Sequence, residues 1–183
     1  MRRIRFFSVA IIFAVAGFGF GYAFRAMPAG ETSVLYSLDG MRNSEALIRM
    51  IDAAHHYAYF GIYAFTKNDI ADALIRARQR GVDVRGIMDG GESRSGVQAD
   101  IAERLVRAGI PIVFRTRTPG IMHMKLLVTE DAYAVGSYNW TAAATFLNDE
   151  VLEIGHDDRV RGEYSALLQR IFAKNRSAFP APP

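Results

Sequence analysis

The sequence predicts an α/β domain (an α+β sandwich) in which a mixed, largely parallel β-sheet is flanked by helices. Between residues 33 and 116, short runs of β-branched and aromatic residues alternate with amphipathic stretches of helical period, which is typical of β-α-β units. After residue 118 the strand-like runs follow one another closely, which indicates a hairpin or a closely spaced pair. Half of the 183 residues are apolar and 22% are charged, as expected for one globular domain.

Strand and helix alternate three times in the first part of the domain. Asn68 is a suitable N-cap for one helix, and Gly81 and Gly109 are suitable terminators for that helix and the next. The predicted strands are 33–38, 57–65, 82–89 and 110–116, and the predicted helices are 43–56, 68–81 and 97–109.

The second part of the domain is predicted to be richer in strands. Strands 123–129 and 132–137 are separated by only Glu130 and Asp131. A further strand at 149–155 and an amphipathic helix at 159–176 complete the domain.

The N-terminal residues predict export. Three arginines precede the uncharged apolar stretch 6–24, whose length of about 19 residues is near the lower limit for a membrane-spanning helix. The same stretch has the n-region and h-region of a signal peptide, and Gly21 and Ala23 offer a small-x-small cleavage site. The length of the run and the position of Arg25 directly after it argue against cleavage. A secreted or periplasmic domain and a domain anchored in the inner membrane are therefore both open.

The chain is accordingly divided into four segments. Residues 1–25 are the signal peptide or membrane anchor, residues 26–32 a linker, residues 33–176 the domain, and residues 177–183 a flexible tail.

The net charge says little about nucleic-acid binding. The formal charge is +3, but four arginines lie in or beside the leader, and without them the charge is −1. The four are Arg2, Arg3, Arg5 and Arg25. The chain has no cysteine, which excludes disulfides, thiolate zinc sites and a cysteine nucleophile.

His123 and Lys125 stand in an apolar run and are predicted to share one face of a strand, since they are two residues apart. An imidazole and an ammonium placed together among apolar residues cost free energy unless they have partners or a function. The ammonium disfavours protonation of the imidazole and so leaves a neutral nitrogen as a nucleophile, and it suits an anionic substrate such as a phosphate. Ser137 and Asn139, also two residues apart, add neutral donors for phosphate oxygens.

These residues resemble the H-x-K-x(4)-D…G-S-x-N signature of the phospholipase D superfamily, whose members are often called HKD enzymes. In this chain the signature is "HMKLLVTE" followed by "GSYN", and the resemblance extends over residues 33–174. With one copy of the signature, the chain is similar to the small single-motif members, which are the bacterial Nuc-type endonucleases and the short secreted bacterial phospholipases D. The resemblance implies a phospholipase D-like fold.

The resemblance also implies a mechanism. His123 would attack phosphorus and form a phosphohistidine, while Lys125, Ser137 and Asn139 would hold the non-bridging oxygens. A second histidine must protonate the leaving group, and with one signature per chain it would be His123 of a second subunit across a two-fold axis. The expected enzyme is a homodimeric phosphodiesterase that needs no metal and no cofactor.

Two residues compete for the acid of the signature. Glu130 stands at its position in place of aspartate, whereas Asp131 would need a shift of one residue at the turn. Glu130 is preferred as the group that orients a histidine. Glu150 matches a Nuc-type carboxylate on the next strand and is predicted to contact the catalytic histidine. The other histidines, at a helix end and in an acidic turn, are poorer catalytic candidates: His55, His56 and His156.

Two substrate classes share this chemistry. For a non-specific nuclease, Arg115 and Arg117, together with Arg94, would contact phosphates of DNA or RNA, although the near-neutral charge of the domain weakens this interpretation. For a phospholipase, the apolar leader and aromatic residues near the signature would suit a lipid, although these aromatics could equally belong to the core. They are Tyr138, Trp140 and Phe146. A degenerate, non-catalytic scaffold or binding protein is the third alternative, and the intact His, Lys, Ser and Asn set argues against it.

Overall fold

The computed structural model describes residues 30–40, 42–94, 96–116 and 119–175. The predicted leader, the first part of the linker, the tail and Arg117 lie outside the described residues. Within the described ranges, none of the helices is long and apolar enough to span a bilayer.

The described chain contains seven strands and five α-helices, with a short 3-10 helix at Glu92–Arg94. The strands are β1 (Thr32–Tyr36), β2 (Tyr57–Ile62), β3 (Asp83–Asp89), β4 (Ile112–Arg115), β5 (Lys125–Thr129), β6 (Tyr133–Gly136) and β7 (Val151–Gly155). The helices are α1 (Arg42–Ala53), α2 (Asn68–Gln79), α3 (Gly96–Arg107), α4 (Ala142–Phe146) and α5 (Asp158–Lys174).

All seven strands join one mixed sheet in the order β1-β7-β6-β5-β2-β3-β4, which confirms the predicted α/β fold with a mixed sheet. The balance of the sheet differs from the prediction, because two neighbouring pairs are parallel and four are antiparallel. Helices α2 and α3 cross over between the parallel neighbours β2, β3 and β4. The later strands β5, β6 and β7 are antiparallel neighbours. Strand β1 lies at the edge of the sheet, where it pairs with β7 and not with β2, the next strand in the chain.

The helices cover both faces of the sheet. Helices α1, α2 and α3 pack on one face against the larger core, which contains Phe60, Leu127 and Trp140. Helix α5 covers the other face, where Leu126 and Val128 belong to a second core. Because side chains alternate along β5, Lys125 projects on the same side as Leu127, toward the larger core.

The predicted site residues His123, Lys125, Ser137 and Asn139 lie at one end of the sheet. The carboxyl ends of the parallel strands β2, β3 and β4 lie there, beside the start of β5, because β5 runs antiparallel to β2. The register pairs Ile62 with Lys125 and Asp89 with Arg115. Ligands of open α/β sheets commonly bind at the carboxyl ends of the parallel strands.

Candidate active site

His123 lies just before β5 with an exposed side chain, on a main chain that is held from both sides. The flanking side chains of Met122 and Met124 pack in the second core, beneath α5. The Met122 N–H donates a hydrogen bond to Oδ2 of Asp89 at 2.9 Å, and the Met124 oxygen accepts one from the Tyr63 N–H at 2.9 Å. The imidazole therefore projects to solvent from an anchored segment.

Lys125 begins β5, two residues later than the predicted start of the strand, and is 7% exposed. Its ammonium donates to the main-chain oxygen of His123 at 3.2 Å and lies 5.1 Å from the centroid of the Tyr63 ring. The same ring lies 4.8 Å from the imidazole of His123, centroid to centroid. The two side chains predicted to act together thus contact one tyrosine.

Burial and a nearby carboxylate act in opposite directions on the Lys125 ammonium. Burial lowers the pKa of Lys125 below its ordinary value, and the negative charge of Glu150 partly restores it. Glu150 is itself buried, and its Oε1 accepts a hydrogen bond from Nδ2 of Asn148 at 3.3 Å. The main-chain N–H of Glu150 donates to Oγ of Ser37 at 3.0 Å, which fixes the start of β7. A cation and an anion are thereby held at the site end of the sheet.

Ser137 and Asn139 follow β6 at the same end of the sheet. A Cβ on Gly136 would lie 2.1 Å from the main-chain oxygen of Val151, so the close approach of β6 and β7 requires glycine here. The Val151 N–H donates to Oγ of Ser137 at 3.1 Å, which leaves the serine its own O–H as a donor. Oδ1 of Asn139 accepts from the Ala64 N–H at 3.3 Å, so its Nδ2 is the end that can donate elsewhere.

Glu130 lies at the opposite end of β5, and the fold does not bring it to His123 within one chain. Its carboxylate accepts hydrogen bonds from the main-chain N–H groups of residues 55–57, of which those of His56 and Tyr57 are 3.0 and 3.3 Å long. Burial raises the pKa of Glu130, but these donors outweigh it and hold the pKa below its ordinary value. Glu130 therefore caps the turn between α1 and β2.

The three other histidines also lie at the end of the sheet remote from His123. Two adjoin Glu130, and the third places its Nδ1 3.0 Å from the main-chain oxygen of Asp131. His123 is thus the one histidine at the site end of the described residues, which include all four histidines of the chain. No group of three or more His, Cys, Asp or Glu residues in the described ranges could hold a metal ion.

The predicted phosphate-binding arginines are only partly placed. Arg115 ends β4 and is half-buried at the site end, beside Asp89 in the register. Arg94 lies in the 3-10 helix that follows β3, close enough for its charge to contribute to lowering the pKa of Asp89. Arg117 lies outside the described residues.

The aromatic residues near the signature separate into core and surface. Tyr138 and Trp140 are buried, so they pack the core and do not line a cleft. Phe146 is 52% exposed and Leu147 is 77% exposed, in the segment that leads to Asn148 and β7.

Three residues of the site, Tyr63, Asp89 and Gln98, were not singled out from the sequence. Gln98 is buried on α3, accepts from the Phe65 N–H at 2.6 Å and donates to the Tyr63 oxygen at 3.0 Å. It therefore fixes the segment that carries the tyrosine ring. The one available signal was that Asp89 ends a predicted parallel strand, where sites in such sheets tend to lie.

Comparison with known proteins identifies the family. The family described as cardiolipin synthase, PLD-like domain, matches residues 47–174. The chain belongs to the phospholipase D superfamily. The family match confirms the resemblance of the His123–Asn139 signature to this superfamily, and the structural match confirms the phospholipase D-like fold.

Relatives of this phospholipase D-like chain include lipid enzymes by name. Cardiolipin synthase A of Pseudomonas aeruginosa is 35% identical over 138 residues, which make up 73% of this chain and 28% of that protein. Mitochondrial cardiolipin hydrolase of Drosophila melanogaster is 30% identical over 163 residues, covering 75% of this chain and 63% of that protein. The chain therefore spans less than two thirds of the length of either relative.

A solved structure also aligns with this phospholipase D-like chain. The crystal structure of Nuc from Salmonella typhimurium, a phospholipase D family member, aligns with a TM-score of 0.69 and 26% identity. The alignment covers 76% of this chain and 93% of that one.

Proposed function

We propose that this chain is a phosphodiesterase of the phospholipase D type, which acts through a phosphohistidine at His123 in a site shared by two subunits. The observation that carries the proposal is the convergence, at one end of the sheet, of the exposed His123, the buried Lys125 and the two neutral donors Ser137 and Asn139. The same residues form the signature of the superfamily to which the chain belongs.

In the proposed first step, a neutral ring nitrogen of His123 attacks phosphorus, and the bond to the leaving oxygen breaks as the P–N bond forms. The ammonium of Lys125, the hydroxyl of Ser137 and Nδ2 of Asn139 donate to the non-bridging oxygens. Burial makes the Lys125 cation more effective, because little water competes with the phosphoryl group for it. Glu150 is the carboxylate best placed to act at this site, and Glu130 acts elsewhere.

The leaving oxygen needs a proton, and the position of the histidines indicates its source. Within one chain the other three histidines lie at the remote end of the sheet. We therefore infer a homodimer in which the partner subunit's His123 donates the proton and then accepts one from the water that hydrolyses the P–N bond. Both histidines end in their starting states. No metal and no cofactor take part in the proposed cycle.

Phospholipid is the substrate class that the surface favours. The exposed side chains of Ile121, Phe146 and Leu147 lie in segments at the site end, where an apolar substrate surface could contact them. Several arginines on the helices are engaged by carboxylates, as in the bidentate contact of Arg76 with Asp52 and the ion pair of Arg104 with Asp72. The relatives named above for cardiolipin point in the same direction.

A nucleic acid is the second candidate, and Arg115 carries it. This half-buried arginine lies at the site end of β4, next to Asp89, where a second phosphate of a polyanion could reach it. Non-specific nucleic-acid binding depends on phosphate neutralisation, so this activity should weaken steeply with salt.

The proposal places the enzyme outside the cytoplasm, in the periplasm or secreted, or attached to the inner membrane through residues 6–24. The basis is the basic and apolar N-terminal sequence.

A parallel assay of the full chain in mild detergent tests the proposal. Cardiolipin, phosphatidylcholine, plasmid DNA and single-stranded RNA are each offered with EDTA present, and His123→Asn is the inactive reference. Release of product from a lipid in EDTA supports the preferred function, and release from DNA or RNA alone selects the second candidate. Activity that is unchanged in His123→Asn, or absent only in EDTA, contradicts the mechanism.

A further inference from the structure

Asp89 links the turn that follows β3 to the segment that precedes β5, at the site end of the sheet. It is the last residue of β3, and only 5% of it is exposed. Its Oδ1 accepts hydrogen bonds from the N–H groups of Gly91 and Glu92, at 2.8 and 3.1 Å. Its Oδ2 accepts from the N–H of Met122 at 2.9 Å, across 33 positions of the chain.

The bond to Met122 is the one that concerns the nucleophile. Met122 immediately precedes His123, and its side chain is buried in the second core. The imidazole contacts Tyr63, whose O–H donates to the carboxylate of Glu92 at 3.1 Å. One carboxylate oxygen of Asp89 therefore binds the N–H of Met122, next to His123. The other binds the N–H of Glu92, whose side chain accepts the hydrogen bond from Tyr63.

The surroundings of Asp89 keep its carboxylate charged, as a permanent hydrogen-bond acceptor requires. Burial raises the pKa of its carboxyl, but the three main-chain donors and the charge of Arg94 lower it below its ordinary value. The carboxylate is thus ionised at neutral pH, and charge-assisted bonds to N–H groups are stronger than neutral ones.

We propose that Asp89 is a positioning residue that holds the imidazole of His123 against Tyr63 and beside Lys125. This inference rests on the proposed function, since it assigns the geometry of the same nucleophile. Asp89 does not touch the phosphate and acts through the Met122 N–H.

Asp89→Asn tests the proposal, with Asp83→Asn as the matched control. Asp83 begins the same strand at its remote end, where its carboxylate accepts from the Tyr59 O–H at 2.7 Å and pairs with Arg85. Both variants lose one carboxylate of β3. Only Asp89→Asn replaces an acceptor of the site with an NH2 group, which leaves at least one of the main-chain donors without its partner.

With the full chain and bis(p-nitrophenyl) phosphate, we expect Asp89→Asn to lower kcat by on the order of 10²-fold, because a small displacement of a reacting group has such an effect. KM should stay within about a factor of two, since substrate contacts are kept. Asp83→Asn should match wild type in both constants. Assays are made at a temperature at which circular dichroism shows both variants to be folded, and Asp89→Ser replaces Asp89→Asn if the latter does not fold.

A second readout is independent of activity. The His123 ring proton resonance, assigned by its loss in His123→Asn, should shift in Asp89→Asn because the ring moves relative to Tyr63, and it should be unchanged in Asp83→Asn. A kcat equal to that of Asp83→Asn with an unmoved resonance overturns the inference, as does a rise in KM alone. Inactivity of the wild type on every phosphodiester would instead count against the proposed function, and the resonance would still test the positioning.

Discussion

The ammonium of Lys125 donates a hydrogen bond to the main-chain oxygen of His123 at 3.2 Å, and both side chains contact the ring of Tyr63. The cation is therefore held beside the nucleophile by contacts within the chain, and it does not depend on the substrate for its position. A donor that is fixed in advance stabilises developing charge without a cost of reorganisation.

Lys125→Met is expected to lower kcat by on the order of 10²- to 10³-fold, because it removes the cation proposed to stabilise the phosphoryl oxygens. The free energy of unfolding should fall by less than about 1 kcal/mol, because the change removes a buried charge and keeps an apolar stem. Steady-state kinetics on bis(p-nitrophenyl) phosphate and urea unfolding measure the two effects.

The matched control is Lys67→Met. Lys67 is also largely buried and lies 5.7 Å from an aromatic centroid, that of Phe146, while it pairs with Asp69. Its replacement should leave kcat on the soluble substrate within about a factor of two. Equal losses in the two variants would mean that Lys125 has no special role.

Glu150→Gln is expected to move the alkaline limb of the pH dependence of kcat to lower pH. Lys125 is proposed to act as a cation, so activity falls as pH rises through its pKa. Burial already lowers this pKa and the charge of Glu150 raises it, so neutralising Glu150 lowers it further. Profiles of kcat from about pH 7 to about pH 11 cover the relevant range.

Asp149→Asn serves as the control for this shift. Its carboxylate accepts a hydrogen bond from the O–H of Tyr36, and no effect of Asp149 on Lys125 is expected. An alkaline limb that stays in place in Glu150→Gln, or that moves as far in Asp149→Asn, is the result against this prediction.

Glu130→Gln is expected to destabilise the fold and to spare catalysis. The pKa of Glu130 is lower in the folded chain than its ordinary value, so its charge adds stability above the unfolded pKa, and this is lost as pH falls through the folded pKa. The variant should therefore lose about 1 to 2 kcal/mol at pH 7, and the difference from wild type should disappear in acid. Urea unfolding at several pH values measures it.

Asp131→Asn is the neighbouring control, because Asp131 contacts His156 through its main-chain oxygen, which the substitution keeps. It should change neither stability nor kcat. A large loss of kcat in Glu130→Gln with unchanged stability would mean that Glu130 acts in catalysis, as the signature predicts.

The pairs His123/Lys125 and Ser137/Asn139 could be predicted because the residues of each pair are close together in the sequence. His123 and Lys125, and likewise Ser137 and Asn139, are two positions apart, and this short separation along the chain places each pair at the same end of the sheet, although only Lys125 lies within a strand. Asp89 escaped prediction because its bond to Met122 joins residues 33 positions apart and depends on the order of the strands.

The position of Glu130 and the share of parallel strand pairs differ from the prediction for a similar reason. Its place in the signature predicts Glu130 at the site, whereas a strand of five residues, about 17 Å long, separates it from His123. The share of parallel pairs is lower than predicted in part because β1 does not lie beside β2, as a β-α-β unit at the start of the domain would require. The strand in fact pairs with β7 at the edge, an assignment that no local pattern carries.

Mixing of subunits tests the shared site. If the partner subunit's His123 supplies the proton, dimers of one wild-type and one His123→Asn chain should be nearly inactive. Activity per wild-type chain should then fall in proportion to the wild-type fraction after subunit exchange. Dilution with Asp131→Asn, which is itself expected to be active, should leave the activity per total chain unchanged, whereas an unchanged activity per wild-type chain on dilution with His123→Asn would indicate independent sites.

Trapping the phosphohistidine would identify the nucleophile itself. The full chain is mixed with excess substrate, quenched in alkali, in which phosphohistidine survives, and analysed by peptide mass spectrometry. We expect a phosphoryl adduct on the peptide that contains His123, formed within the first turnover and absent from His123→Asn. Rapid turnover with no adduct at His123, or with an adduct on another residue, would exclude His123 as the nucleophile.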